Sequence, residues 1–367
     1  MVESGGGSAD LFLRHGPRRH AQHPGKIKGS WRLCRVTELA VQFTEEPDTP
    51  LCLSSSTFAH SALENIRVLK VDHLNMDSFE PGVVLDRLRE LYLYCATGCL
   101  RNVLHFAPNL EYLSIDNGQL CGMSSRELAE FRGRRLEVAN TALAFDALQA
   151  PENMEFLSLT GVKLVNFSWE GFTKLSTVFL ARTSLESLDE LCKCKNLSTV
   201  NLWGCASVTT VAGVSQLWNL KELFLQETSI TDKGIDELKK CTQLEKLNMG
   251  GCVNLTNVNC LGTLVSLEEL HLWSTKVVNS GIIGLGNCVS LVELVLDDCK
   301  KISDVNCLSG LRRLRYLSVI GTSVNSEGIR HLLRCPKLEC LSICGAEIHH
   351  APKLWNHESV VAFLSTL

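Results

Sequence analysis

Apolar residues recur along the chain in a fixed phrase, with leucine or a similar residue at the first, fourth and sixth places of a segment that returns every 21 to 24 residues. The phrase starts at Ile66, Leu88, Leu110, Gly133, Met154, Leu175, Leu197, Leu220, Leu244, Leu267, Leu291, Leu314 and Leu338. The step from the fourth to the sixth place is the alternation of a half-buried strand, so Leu223 and Leu225, or Leu294 and Leu296, point to one side. One strand of this length cannot bury its apolar side alone, and the fixed period predicts that neighbouring units stack to close a shared core. A small side chain follows each later strand phrase: Thr183, Cys205, Thr228, Cys252, Thr275, Cys299 and Thr322, then Ala346. Threonine and cysteine both sit in an apolar core while an OH or SH reaches a turn backbone group.

From Leu197 onward the units come in pairs, since Leu197, Leu244, Leu291 and Leu338 stand 47 residues apart. One return segment reads TDKGIDELKKC, NSGIIGLGNC or NSEGIRHLLRC, with Ile235, Ile282 and Ile329 three residues before Leu238, Leu285 and Leu332. That spacing predicts a helix of one or two turns. The other reads VTTVAGVSQLWNL, LTNVNCLGTLVSL or ISDVNCLSGLRRL, apolar at every third place, which predicts tighter 3-10 turns.

These phrases resemble the leucine-rich repeat. Units closing on Cys241, Cys288 or Cys335 resemble its cysteine-containing, ribonuclease-inhibitor-like subclass. The other kind, through Asp304, Val305, Leu308 and Leu311, is similar to leucine-rich-repeat proteins of trypanosomatids. The resemblance implies an α/β solenoid over residues 66–355, a curved right-handed leucine-rich-repeat array of about 13 units. Its parallel sheet would be concave, with short helices or 3-10 turns on the convex side. Residues 1–30, rich in glycine and proline, are expected as a flexible basic arm, 31–65 as an N-terminal cap, and 356–367 as a C-terminal capping helix on Val360, Val361, Phe363 and Leu364.

Composition narrows the function. With 45% hydrophobic and 21% charged residues and a net charge of -4, neither global disorder nor a wholly nucleic-acid-binding surface fits. Arg14, Arg18, Arg19, Lys26, Lys28, Arg32 and Arg35 follow one another without an acid; a solvated tail is the favoured reading of this arm, and a nucleic-acid, acidic-partner or targeting segment is the other, so nucleic acid could be a partner only here. No apolar run is long enough for a membrane span and no secretory pattern opens the chain, so an intracellular setting, cytoplasmic or nuclear, is expected, with organellar import left open. Seventeen cysteines, an odd number, then read as reduced thiols. They show no C-x2-C pairing, and the histidines, His73 and His271 among them, fall in no triad, metal or phosphate-loop signature. No catalytic residue, cofactor or metal is expected, and the chain reads as a non-enzyme.

The third, fifth, seventh and eighth places of each unit would line the uncovered sheet face. Nine of the chain's 23 aromatic residues fall there: Tyr92, Tyr94, Tyr112, Phe156, Phe179, Trp203, Phe224, Trp273 and Tyr316. Large aromatics anchor binding surfaces, although stacking between strands would also place them there. Glu222, Glu227, Glu269, Glu293, Asp297 and Asp298 join them beside His271, with Asn201 and Asn248 as polar readers. The expected function is a protein-binding scaffold or adaptor whose site comprises Phe179, Trp203, Phe224, Trp273, His271 and these six acids, facing a basic or amphipathic segment. A ribonucleoprotein or organellar assembly component is the alternative, and GTPase-activating and ubiquitin-ligase substrate-receptor roles rank below both.

Overall fold

The computed structural model describes residues 9–14, 38–43, 65–75, 77, 84–120, 131–141, 144–146, 153–165, 167–345 and 356–367. The chain divides into two compact units, Met1–Leu175 and Ser176–Leu367, a division that the repeat spacing does not announce.

The first unit opens with strand β1 (Ala9–Arg14), antiparallel to β2 (Glu38–Phe43), with Leu11 opposite Val41. A flexible arm was expected over 1–30. Ala9–Arg14 is instead a strand, because its Leu-Phe-Leu run has strand propensity that the surrounding glycines and prolines mask. The rest of the arm lies outside the described residues. The expected cap contributes β2, which pairs in parallel with β3 (Val68–Asp72). Then come β4 (Glu90–Tyr94) with the short β5 (Thr97–Gly98), β6 (Tyr112–Asp116) with β7 (Gln119–Leu120), β8 (Arg135–Ala139) with β9 (Ala144–Asp146), and β10 (Phe156–Thr160) with β11 (Lys163–Val165). The longer strands pair in parallel from β3 to β10, stacking Leu69, Leu91, Leu113, Leu136 and Leu157 as buried neighbours. Gly133 stands where other units have an apolar residue. Phe131 fills that place, its ring 2.2 Å from where a Cβ on Gly133 would be.

The second unit is more regular. Strands β12 (Thr177–Phe179), β13 (Thr199–Asn201), β14 (Glu222–Phe224), β15 (Lys246–Asn248), β16 (Glu269–His271), β17 (Glu293–Val295), β18 (Tyr316–Ser318) and β19 (Cys340–Ser342) pair in parallel in chain order. From β3 on, every repeat strand on the main sheet starts two residues after the phrase start read from the sequence. Their middle residues, Val178, Val200, Leu223, Leu247, Leu270, Leu294, Leu317 and Leu341, are all buried, each worth about 1.5–3 kcal/mol of transfer free energy. The return segments Val214–Gln216, Asn259–Thr263 and Asn306–Gly310 are 3-10 turns, as their threefold spacing predicts. The segments expected as short helices differ: Lys233–Lys240 and Ile283–Asn287 are also 3-10, and only Ser326–Ile329 is α-helical before turning 3-10 at Arg330–Arg334. A Cβ on Gly234, Gly281 or Gly328 would lie 2.2, 2.3 or 2.1 Å from a carbonyl oxygen of the preceding repeat, so glycine lets each of these segments stack closely, whether its turn is 3-10 or α. At the end, helix His357–Leu364 buries Val360 and Leu364 and sets His357 Nδ1 2.9 Å from the Leu338 carbonyl.

A turn common to all thirteen units closes the strand. The eighth residue is left-handed in each: His73, Cys95, Asn117, Asn140 and Gly161 in the first unit, and Arg182, Gly204, Glu227, Gly251, Ser274, Asp298, Gly321 and Gly345 in the second, with φ between 50° and 76°. The chain then points the ninth residue back into the core. Thr183, Thr228 and Thr275 donate their hydroxyls to the carbonyls of Leu180, Leu225 and Leu272, each at 2.8 Å. Cys205, Cys252 and Cys299, one repeat later, donate their thiols to the same three carbonyls at 3.0 to 3.1 Å. The alternation of threonine and cysteine is therefore one shared acceptor serving two adjacent repeats. Among the described residues the cysteines are free thiols. Burial pushes Cys192, Cys241 and Cys335 up to about 11 and Cys194 and Cys288 up to about 12.

Two outcomes follow from these turns and thiols. Ser274→Gly should raise stability by about 1 kcal/mol by relieving a left-handed non-glycine residue, whereas Gly251→Val should lower it by about 2 kcal/mol, both read as midpoint shifts in urea. Because the raised thiols stay neutral in the folded chain while unfolded thiols ionise near pH 8.5, their contribution is intact below about pH 8.5 and is lost as pH rises towards 11. The melting temperature should fall across that window, and less so for Cys194→Ala/Cys288→Ala.

Candidate functional site

Among the described residues no helix covers one face of the second unit's parallel sheet, and the register fixes what lies side by side on it. Third places run Thr199, Glu222, Lys246, Glu269, Glu293 and Tyr316; fifth places run Phe179, Asn201, Phe224, Asn248, His271 and Val295. Seventh and eighth places form the rim where the strands end. There Trp203 remains 36% exposed, with the Arg182 guanidinium 4.4 Å from its ring centre. Trp273 lies flat on the Gly250–Gly251 turn of the preceding repeat; a Cβ on Gly250 would stand 2.1 Å from its ring. Phe179 and Phe224 are half-buried on β12 and β14. Among the described residues, Trp203, Phe224 and Trp273 make no ring contacts with one another.

The acids are placed less freely than their sequence positions imply. Glu222 accepts from the Thr199 hydroxyl at 3.2 Å, Glu269 pairs with Lys246 at 3.0 Å, and Glu293 lies 3.1 Å from His271 Nε2. Asp297 accepts from the Ser318 hydroxyl and from the Ile320 amide. Glu227 and Asp298 occupy the left-handed eighth place on the exposed rim. Asn201 and Asn248, expected as polar readers, turn their carbonyl oxygens to the amides of Trp203 and Gly250 at 2.9 and 3.0 Å. Asn248 Nδ2 faces His271 Nδ1 at 3.2 Å. These side chains brace the strand ends, and exposed pairs of this kind contribute no more than about 1 kcal/mol each. The face still carries six carboxylates against Lys246 and Arg182 as permanent cations.

Sequence reasoning passed over several residues. Lys246 sits in the middle of the acidic row, and Arg182 covers Trp203; both were legible from the same place-counting that found the acids. Trp218, just before the β14 phrase, is 68% exposed and has Val265 and Val289 at the equivalent places of later repeats. The threefold row Val211, Val214, Leu217 and Leu220 leaves Trp218 outside the core places, so its exposure was legible in the same spacing.

The first unit carries a different face, and there the stacking alternative holds. Tyr92 and Tyr112 meet edge to face at 4.9 Å, Lys70 lies 4.9 Å from the Tyr92 ring, and Arg135 lies 5.1 Å from Tyr112 and 4.4 Å from Phe156. Tyr92 donates to Glu90 at 3.0 Å. Burial, then the hydrogen bond to Glu137, pushes the Tyr112 phenol up to about 12. Tyr94 is exposed at the strand end.

No family model matches the chain, and no curated protein does. Solved structures do. The chain is similar to a leucine-rich-repeat protein of Leptospira interrogans at a TM-score of 0.64 and 20% identity, covering 83% of this chain and 86% of that one. An internalin from Listeria monocytogenes aligns at 0.54 and 17% identity over 79% and 84% of the two chains. The plant peptide hormone receptor RGFR1, in complex with RGF2, aligns at 0.53 and 17% identity over 78% of this chain and 52% of that one. At these identities the likeness shows the fold, that of leucine-rich-repeat proteins. No helix among the described residues is long and apolar enough to cross a membrane.

The Trp273 seat is testable by itself. Gly250→Ala should push the indole off the turn, lowering stability by about 1–3 kcal/mol and shifting tryptophan emission, and the added substitution Trp273→Ala should recover most of the loss.

Proposed function

We propose that the chain is a non-catalytic protein-binding scaffold or adaptor, and that the uncovered sheet face of the second unit receives a basic or amphipathic segment of its partner. The observation that carries this reading is the juxtaposition of Trp203, Phe224 and Trp273 with an excess of carboxylates on one open parallel sheet. Parallel sheets ordinarily bury both faces, so one left open in a solenoid offers a long recognition surface. The aromatics supply desolvated contact area while the acids steer a cationic segment and set its rate of arrival. The buried thiols, spent as hydrogen-bond donors to backbone carbonyls, support a reducing intracellular setting.

Co-purification from native cells followed by titration of the captured partner tests the reading. Trp203→Ala should weaken binding by about 30-fold, near 2 kcal/mol, and leave the melting temperature almost unchanged, because the exposed ring leaves no core cavity behind. Added salt should slow association more than it speeds dissociation. Unchanged affinity in a Trp203→Ala/Phe224→Ala variant that remains folded would move the site off this face.

A further inference from the structure

A solenoid changes what a ligand-binding spacing looks like. Two residues one repeat apart, here 22 positions, stand on neighbouring strands about 4.8 Å apart, closer than many pairs within one turn. Metal-binding spacings read along a sequence, such as C-x2-C, therefore miss a set assembled across repeats.

We propose that Asp72, His73 and Cys95 in the first unit form a binding site for a zinc-like transition-metal ion. His73 and Cys95 are the eighth residues of consecutive repeats, and Asp72 ends β3 beside them. Their donor atoms, one carboxylate oxygen, one imidazole nitrogen and one sulfur, all lie within 4.8 Å of one another. Zinc bonds of about 2.0–2.3 Å to such donors give ligand-to-ligand edges of about 3.3–3.7 Å, so small side-chain adjustments close the set on an ion. Asp72 Oδ1 and His73 Nδ1 are already 2.8 Å apart.

The backbone holding these ligands is tied into the neighbouring turns. His73 and Cys95 are both left-handed, at φ 52° and 50°, and their amides donate to the Tyr94 and Asp116 carbonyls at 2.8 and 2.9 Å. The next residue in the same row, Asn117, donates from Nδ2 to Cys95 Sγ at 3.5 Å, the kind of outer contact that orients a metal ligand. The row has an ordinary structural alternative one repeat further on, where Asn140 Nδ2 donates to Asp116 Oδ1 at 2.9 Å. Between β3 and β4, an imidazole and a thiol replace that amide.

All three side chains are half-buried, so the face turned to solvent leaves a fourth position for water or a partner's side chain. Sulfur and imidazole donors favour zinc or cobalt over calcium or magnesium. Three protein ligands with one open position is the arrangement of exchangeable or reactive zinc sites rather than closed structural ones.

The test uses the full chain, untagged, reduced and freed of metal, titrated with cobalt(II) and then zinc(II). One equivalent of cobalt should bind with a thiolate-to-cobalt absorption band, and zinc should displace it. Cys95→Ser should lose the band, and both it and His73→Asn should weaken zinc binding by about 100-fold or more; asparagine already occupies this left-handed place at positions 117 and 140. Asn117→Ala should weaken zinc about 10-fold without removing the band. Circular dichroism must show each variant folded as the parent. A cobalt band of unchanged intensity in folded Cys95→Ser would assign binding to other thiols and overturn the proposal, as would zinc affinity equal in the parent and His73→Asn. Neither result bears on the partner face of the second unit.

Discussion

The left-handed residue at the eighth place of every repeat is the constraint on which the rest of the molecule depends. It ends the strand by turning the chain out of the sheet, and within each of the two units its amide donates to the seventh carbonyl of the next repeat, as from His73 to Tyr94 and from Asp298 to Ile320, so these turns are also rungs between neighbours. Only after that reversal can the ninth residue re-enter the core and reach the carbonyl three residues back. Glycine takes the place without strain in several repeats; elsewhere Asn, Ser, Asp, Glu, Arg, His or Cys accepts a cost of about 1–2 kcal/mol. That cost keeps polar and reactive side chains on the rim, where binding chemistry can use them.

The buried row just inside this rim shows how a solenoid satisfies its polar groups economically. The Leu180, Leu225 and Leu272 carbonyls each accept from the hydroxyl and the amide of the threonine in their own repeat and from a cysteine thiol of the next. Neither side chain is chosen for reactivity. Burial holds the thiols of this row neutral and the hydrogen bonds occupy them, so the row itself offers little accessible nucleophilic sulfur. The rim differs in kind: Cys95 stands in the turn, half-buried and beside other donors, and there a thiol has coordination chemistry open to it.

The two faces also differ for a physical reason. In the first unit five-residue strands set tyrosines, a phenylalanine and cations on adjacent strands, and the rings spend their faces on Tyr–Tyr and cation–π contacts within the sheet. In the second unit Trp203 and Trp273 share the seventh place but stand three repeats apart, and Phe224 lies in the fifth place between them, so they do not satisfy one another. The part-exposed indole of Trp203, with Arg182 over its ring, and the surplus of carboxylates on the same sheet are what a partner would find.

Periodicity by itself determined the repeat starts, the strand positions, the buried leucine column and the core role of the Thr/Cys row, because each depends on one residue's place in its own repeat. The same reading located Phe179, Trp203, Glu222, Phe224, Glu227, Glu269, His271, Trp273, Glu293, Asp297 and Asp298 on the strand faces and rims. Tertiary structure alone decided which neighbours those residues meet. Cross-strand register joins Glu269 to Lys246 and Glu293 to His271, lays Trp273 on Gly250, and brings His73 to Cys95 from 22 residues away. Such contacts depend on the identity of the residue one repeat earlier or later, and a pattern read along one strand carries no information about the strand beside it.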